Sequence, residues 1–409
     1  MSSNITIDRF RQEIIDSYTF EGDSFRLGTA ILNNHPVNGA RINVPLCTLN
    51  RHGLIAGATG TGKTKTLQIF AENLSNQGVP VVLLDIKGDL SGLAQSGVLN
   101  KKIIERYEQL GGEKWTPCQY PVEFLTISHE NGVRLRSTVT EFGPILLSKI
   151  LGLNETQTSF ISLIFKYSDD NQLPLVDLKD FIQILQYISK EGKESIEQIY
   201  GKIALSSTGT ILRKTIELQQ QNADLFFGEP SFDINDLMRT DSSTGQATIN
   251  IIRVIDIQEK TKLFSTFMLS LLSKLYTFMP EIGDVDKPKL IMFIDEAHLL
   301  FQQSIGTLLQ QIETVIKLIR SKGVGIVFCT QNSMDIPSAI VAQLGLKIQH
   351  ALRASTSKDR KNIKKMSENF PSSDYYSVDQ LLTNMSIGEA LVTLLNEQGQ
   401  PTMLYVCII

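Results

Sequence analysis

The spacing of apolar and polar positions changes character along the chain, and those changes divide it. Residues 1–50 mix one helical stretch with two of β character. Over 5–17, Phe10, Ile14 and Ile15 fall on one side of a helix. Residues 25–31 and 40–46 read as strands joined by an Asn33-Asn34-His35-Pro36 turn. So few strands predict a hairpin or a lid beside the ligand, not a full barrel.

From residue 53 the pattern predicts a strand over 53–56, a helix over 63–77 and a strand over 79–86. The run Val81-Val82-Leu83-Leu84 closes on Asp85 without alternation, as expected of a parallel strand covered on both faces. After Asp89 the period turns helical, over 143–151, 156–167, 178–189 and 209–222, with one strand over 122–127. The α/β pattern then resumes. Strands are predicted over 247–255, 290–294, 325–330 and 347–352, helices over 260–278 and 307–322, and a closing pair of strands over 389–395 and 403–409. The organisation read from this is a small N-terminal α/β region (1–50), a core (51–89 and 246–409) and a mostly helical insertion (90–245). Strands alternating with helices predict a mostly parallel sheet with helices on both faces, and a ligand at the carboxyl ends of the strands.

Composition changes this picture only at its margins. A chain of 409 residues, 42% hydrophobic and 20% charged, has room for a large α/β core plus an insertion. The net charge of −4 excludes a surface that attracts nucleic acid everywhere, so any DNA contact needs a local basic strip or a ring of subunits. Cys47, Cys118, Cys329 and Cys407 form no C-x-x-C pair, which argues against zinc and against a disulfide framework. No apolar run approaches the length of a membrane span, so the expected setting is cytoplasmic, with no membrane partner.

The chemistry concentrates in three places. Gly57-Ala58-Thr59-Gly60-Thr61-Gly62-Lys63-Thr64 fills G-x-x-x-x-G-K-[ST] between a predicted strand and a predicted helix that opens near Lys65. Its glycines let backbone N–H groups curl around phosphate oxygens at a positive helix end. Lys63 is then placed to reach the β/γ-phosphates, and Thr64 to hold Mg²⁺. The stretch Gly57 to Lys65 is the expected ATP-binding segment. Second, Leu290-Ile291-Met292-Phe293-Ile294 ends in Asp295-Glu296: one carboxylate to hold the metal and one to deprotonate the attacking water. Asp85 and Asp89 also follow an apolar strand and compete for the place near the metal. Asp295 is preferred because it carries the neighbouring glutamate. Third, Val327-Phe328-Cys329-Thr330 runs into Gln331-Asn332, where an amide can sense the γ-phosphate or the water. The plainer reading there is helix capping by Asn332 or Ser333.

Arg320, ending the helix after the acidic pair, and Arg353, following the last core strand, are the candidates for an arginine that stabilises the transferring phosphoryl group. A surface salt bridge is the open alternative for each. The basic run 358–365 has no aromatic residue to stack bases and reads as a solvated helix face rather than a pore-lining strip. His298 either tunes the acidic pair or simply packs beside it.

These stretches resemble the HerA–FtsK class of P-loop motors, and more closely the bacterial YjgR-like family of HerA-like ATPases. The likeness is carried by the phosphate-loop run from Arg51, by Asp85-Ile86-Lys87-Gly88-Asp89-Leu90, Phe227-Gly228-Glu229-Pro230 and Asp295-Glu296-Ala297-His298, and by Leu318-Ile319-Arg320-Ser321-Lys322-Gly323 and Gln349-His350-Ala351-Leu352-Arg353-Ala354. It covers roughly residues 22–400. The resemblance implies a RecA-like additional-strand P-loop NTPase core and a homo-hexameric ring with ATP at subunit interfaces. It further implies Mg²⁺-dependent hydrolysis driving double-stranded DNA translocation or unwinding, alongside a nuclease or other partner protein. Carried over, Lys63 and Thr64 bind phosphate and Mg²⁺, Asp295 the metal, Glu296 activates water, Gln331 is the sensor and Arg320 the inter-subunit finger. Two departures stand out. The first 50 residues are too short for the barrel that HerA carries, and the sequence stops at Cys407-Ile408-Ile409 where YjgR-like proteins continue into a polar tail. The competing expectations are an ATP-dependent scaffold or switch that assembles with a partner enzyme, and a motor for protein or conjugative export.

Overall fold

The computed structural model describes residues 7–110, 116–201, 205–257, 259–283, 285–302, 306–354, 356–368 and 370–409. The chain opens with α1 (Ile7–Tyr18), whose Phe10, Ile14 and Tyr18 are buried. The hairpin β1 (Ser24–Leu32) and β2 (His35–Pro45) follows, then β3 (Gly53–Ala56), α2 (Lys63–Asn76) and β4 (Val81–Asp85). Residues 90–245 carry α3 (Lys101–Gln109), β5 (Val122–Thr126), β6 (Val133–Arg134), α4 (Val139–Ile150), α5 (Glu155–Asp170), α6 (Leu178–Ser189), α7 (Lys193–Tyr200) and α8 (Leu205–Gln220). After these the chain forms β7 (Ile249–Arg253), α9 (Thr261–Phe278), β8 (Leu290–Ile294), α10 (His298–Gln302), α11 (Gly306–Ile319) and β9 (Val324–Thr330). It ends with α12 (Ser338–Val341), β10 (Leu346–His350), α13 (Ser357–Ser367), α14 (Val378–Asn384), β11 (Glu389–Leu394) and β12 (Tyr405–Ile408).

Among the described residues these strands form one sheet in the order β2-β1-β12-β11-β10-β3-β9-β8-β4-β7-β5-β6. From β10 to β6 every neighbour is parallel; from β10 to β2 every neighbour is antiparallel. Strand β9 lies between β3 and β8. The strand that carries the phosphate loop and the strand that ends in two acids are therefore separated by one further strand, as the additional-strand core requires. The mostly parallel α/β class expected from the sequence is the fold found.

Alternate residues of each central strand face opposite cores. Leu54, Val82, Leu84, Met292, Ile294, Ile326 and Phe328 point into the core covered by α4 to α9 and α11. Ile55, Val81, Leu83, Ile291, Phe293, Val327 and Cys329 point into the core covered by α1, α2 and the first hairpin. Both faces are dry, so these strands read as unbroken apolar runs. Burying each Val, Leu or Ile side chain contributes roughly 1.5–3 kcal/mol.

Three local differences from the sequence expectation have physical causes. The first hairpin is longer than expected and is no lid. Thr29 and Ala30 pair with Ile408 and Cys407, so it extends the sheet and is separated from β3 by three strands. Helix α4 begins before its expected start because Thr138 caps it, accepting from Glu141 N, and it is broken at Gly143 (φ +80) just ahead of Pro144. Helices α3 and α7 were not anticipated; on α7 only Ile196 is buried, which leaves no apolar stripe to read. Among the described residues no helix is long and apolar enough to cross a membrane.

Candidate active site

Strands β3, β4, β8, β9 and β10 are parallel neighbours, so their carboxyl ends open on the same edge. That edge collects Gly57, Asp85, Asp295, Gln331 and His350, each at or just beyond a strand end. The phosphate loop is hung between two strands: Gly57 N donates to Thr330 O at 3.2 Å and Ala58 N to Ala351 O at 2.9 Å. Gly57 has φ +154, and a Cβ there would lie 2.5 Å from His350 Cβ. Only glycine fits this turn. Lys63 is buried and donates to Gly57 O at 2.6 Å and Ala58 O at 3.1 Å, arching over its own loop. Burial first, then the nearby Lys87 charge, lowers its pKa. Lys65 points outward and donates to Gln68 Oε1 at 2.8 Å.

The two assignments left open for the acids after β4 are separated by their contacts. Asp85 is fully buried and accepts from Gly88 N at 2.7 Å and Leu90 N at 3.4 Å, so its oxygens serve the turn that follows it. Asp89 instead reaches the loop, accepting from Thr64 Oγ1 at 3.2 Å. Asp295, 8% exposed, has its pKa pushed up to about 6, chiefly by burial. A desolvated carboxylate with a raised pKa is one that a cation would stabilise.

Glu296 is the most constrained side chain of the group. Its backbone is left-handed at φ +46. Its Oε1 is ion-paired with Lys87 Nζ and accepts from Gln331 Nε2 at 3.5 Å. Its Oε2 lies 3.2 Å from His298 Nδ1 without the angle of a hydrogen bond. Burial raises its pKa, but hydrogen bonding and charge from Lys87 outweigh that and leave it below the usual carboxylate value. Lys63, Thr64, Asp295, Glu296 and Gln331 thus converge, with His298 touching the pair.

The arginines do not join them within this chain. Arg320 begins the turn after α11 and leads into the amino end of β9, the opposite edge of the sheet from Lys63. Arg353 follows β10 on the loop edge but is exposed. The basic run lies on α13, where Ile363 and Met366 are buried and the lysines are solvated, as expected of a helix face. Two contributors were missed. Lys87, two residues past the end of β4, carried a signal: a lysine just beyond a buried strand at the ligand-bearing edge. His350 contacts Thr66 of α2 and carried none.

The assembled edge offers a backbone cradle at a helix start, cations beside it, and a buried acid pair facing both. That arrangement suits a phosphate chain whose terminal group is attacked by water. Comparison with known proteins agrees with it. The family described as Helicase HerA-like C-terminal matches residues 31–409. A DNA double-strand break repair helicase HerA from Sulfolobus acidocaldarius is 22% identical over 389 residues, covering 92% of this chain and 68% of that protein. Among solved structures, the bacterial conjugative coupling protein TrwBdeltaN70 superposes with a TM-score of 0.61 at 13% identity, covering 97% of this chain and 90% of its own. VirB4 of Thermoanaerobacter pseudethanolicus gives 0.56 at 16% identity, covering 96% and 98%. The latter two likenesses are of fold, while the family match runs through the phosphate loop and the acid pair, and this chain belongs to the HerA-like helicase family of P-loop ATPases.

Proposed function

We propose that this chain hydrolyses ATP with Mg²⁺ and uses the energy to move along double-stranded DNA as a homo-oligomeric ring in the cytoplasm. The observation that carries the proposal is the convergence of Lys63, Thr64, Asp295, Glu296 and Gln331 on one edge. The loop from Gly57 to Lys65 binds the phosphates through backbone N–H groups, and Lys63 exchanges its two loop carbonyls for phosphate oxygens. Glu296 accepts a proton from the attacking water, and Gln331 holds that carboxylate in place. Thr64 and Asp295, with Asp89 beside the threonine, are the residues that would hold Mg²⁺, whose charge would stabilise the negative charge on the phosphate oxygens. Arg320, on the far edge of its own sheet from Lys63, is the arginine that would serve a neighbouring subunit's nucleotide.

Related proteins support the reading. A TrwB structure contains the ATP analogue ADPNP, another contains ADP and Mg²⁺, and the Sulfolobus relative is named as a DNA repair helicase. The test is steady-state ATP hydrolysis with and without double-stranded DNA. Stimulation by DNA, with Glu296→Gln reducing the rate by roughly 10²–10⁴, is the expected result. Hydrolysis indifferent to DNA removes the translocase and leaves an ATP-driven switch acting with a partner protein.

A further inference from the structure

Lys87 has no part in the chemistry described so far, yet it is paired with the carboxylate that the chemistry uses. It stands just past β4, beside β8, and its ammonium is paired with Glu296 Oε1. An ammonium on Oε1 leaves only Oε2, beside His298 Nδ1, open to a water proton. Release of Lys87 would open both oxygens of Glu296, and a released ammonium needs another anion to receive it.

The surroundings say where Lys87 can go. Its backbone is fixed: Gly88 N and Leu90 N are held by buried Asp85, and a Cβ on Gly88 would lie 2.7 Å from Ile255 Cδ1. Its side chain is 37% exposed, whereas that of Glu296 is 7% exposed. Movement thus belongs to the four-carbon stem of the lysine, not to the loop or the acid. Lys87 also feels the charges of Asp295 and Asp89, and Lys63 feels that of Lys87. The two lysines flank one acidic group from opposite sides, β3 and β4 being separated by β9 and β8.

We infer that Lys87 reads the terminal phosphate of a nucleoside triphosphate, exchanging Glu296 for a γ-phosphate oxygen and so freeing the carboxylate only when a triphosphate is present. The inference rests on the ATPase reading above and deepens it, because it names the residue that distinguishes triphosphate from diphosphate. A diphosphate leaves Lys87 on Glu296, and Oε1 stays covered.

The test is calorimetric titration of the full chain, in Mg²⁺, with ADPNP and with ADP. A single charge-assisted contact to the γ-phosphate predicts that Lys87→Met weakens ADPNP by roughly tenfold or more and ADP by less than about threefold. Lys87→Arg, which keeps the charge, is expected to recover most of the ADPNP affinity. Glu296→Gln gives an independent measure with the lysine intact. Released from its partner, Lys87 should hold ADPNP more tightly while ADP is unchanged. Equal changes for the two nucleotides in Lys87→Met, or no change in either, overturn the inference and leave the ATPase reading standing. If Lys87→Met does not fold, an unaltered ADPNP-to-ADP ratio in Glu296→Gln overturns it instead. A wild-type chain that binds neither nucleotide overturns both.

Discussion

Thr66 Oγ1 and His350 Nε2 meet at 2.9 Å inside the protein, joining the first turn of α2 to the end of β10 across 284 residues of chain. The other ring nitrogen lies 3.0 Å from Glu389 O, which can only accept. Nδ1 therefore carries the proton, Nε2 accepts from the threonine, and the ring is neutral, in keeping with a pKa lowered by burial to about 4. Thr66→Val leaves a buried acceptor without its donor. Unfolding in urea should show a loss of roughly 1–3 kcal/mol. A variant as stable as wild type would mean the histidine is held by packing alone.

His52 is a second neutral histidine with a predictable pH signature. Its Nε2 lies 2.8 Å from Ile316 O and its Nδ1 accepts from Ile326 N at 3.0 Å. Burial lowers its pKa from 6.5 to about 4. The unfolded chain takes up this proton near pH 6.5 and the folded chain only near pH 4. The linked stability is thus present above 6.5 and is lost as pH falls toward 4, by roughly 3 kcal/mol. Melting temperatures across that window should fall more steeply for wild type than for His52→Gln. Parallel slopes would remove His52 as the cause.

Two glycines of the phosphate loop separate crowding from backbone preference. A Cβ at Gly57 would collide with His350 Cβ, while a Cβ at Gly60 (φ +78) meets nothing within 4 Å. Gly60→Ala should cost only the left-handed penalty, about 1–2 kcal/mol. Gly57→Ala adds overpacking of roughly 1–3 kcal/mol and should also abolish ADP binding, since the loop must shift. Equal effects at the two positions would contradict this geometry.

If Arg320 serves a neighbour's nucleotide, its loss is complementable. Subunits carrying Arg320→Ala and subunits carrying Glu296→Gln should each hydrolyse ATP poorly when assembled alone. Mixed, some interfaces receive a sound arginine from one chain and a sound glutamate from the other, and hydrolysis should rise above both. A mixture no better than its components would assign Arg320 to its own subunit's fold, beside His52, whose charge it already opposes.

What the sequence made legible was whatever is encoded within a few residues. Strand β8 and helix α6 fall at their expected bounds because an unbroken apolar run and a capped amphipathic period are local signals. The phosphate loop and the acid pair were legible for the same reason. Lys87 on Glu296 and His350 on Thr66 were not, because both contacts depend on strand order. Nothing near Asp85 says that β4 will lie against β8, and nothing near Lys63 says that β10 will lie against β3. The pairing of the first hairpin with β12 was hidden likewise: Thr29 and Ala30 meet residues from the other end of the chain.

Position 296 places folding and chemistry in opposition. A glutamate at φ +46 sits where a side chain of any kind is unwelcome. Glycine would relax that backbone. A population selected for heat tolerance alone should therefore drift away from glutamate there and grow hardier as it loses turnover. The residue proposed to take the water's proton is one the backbone, left to itself, would discard.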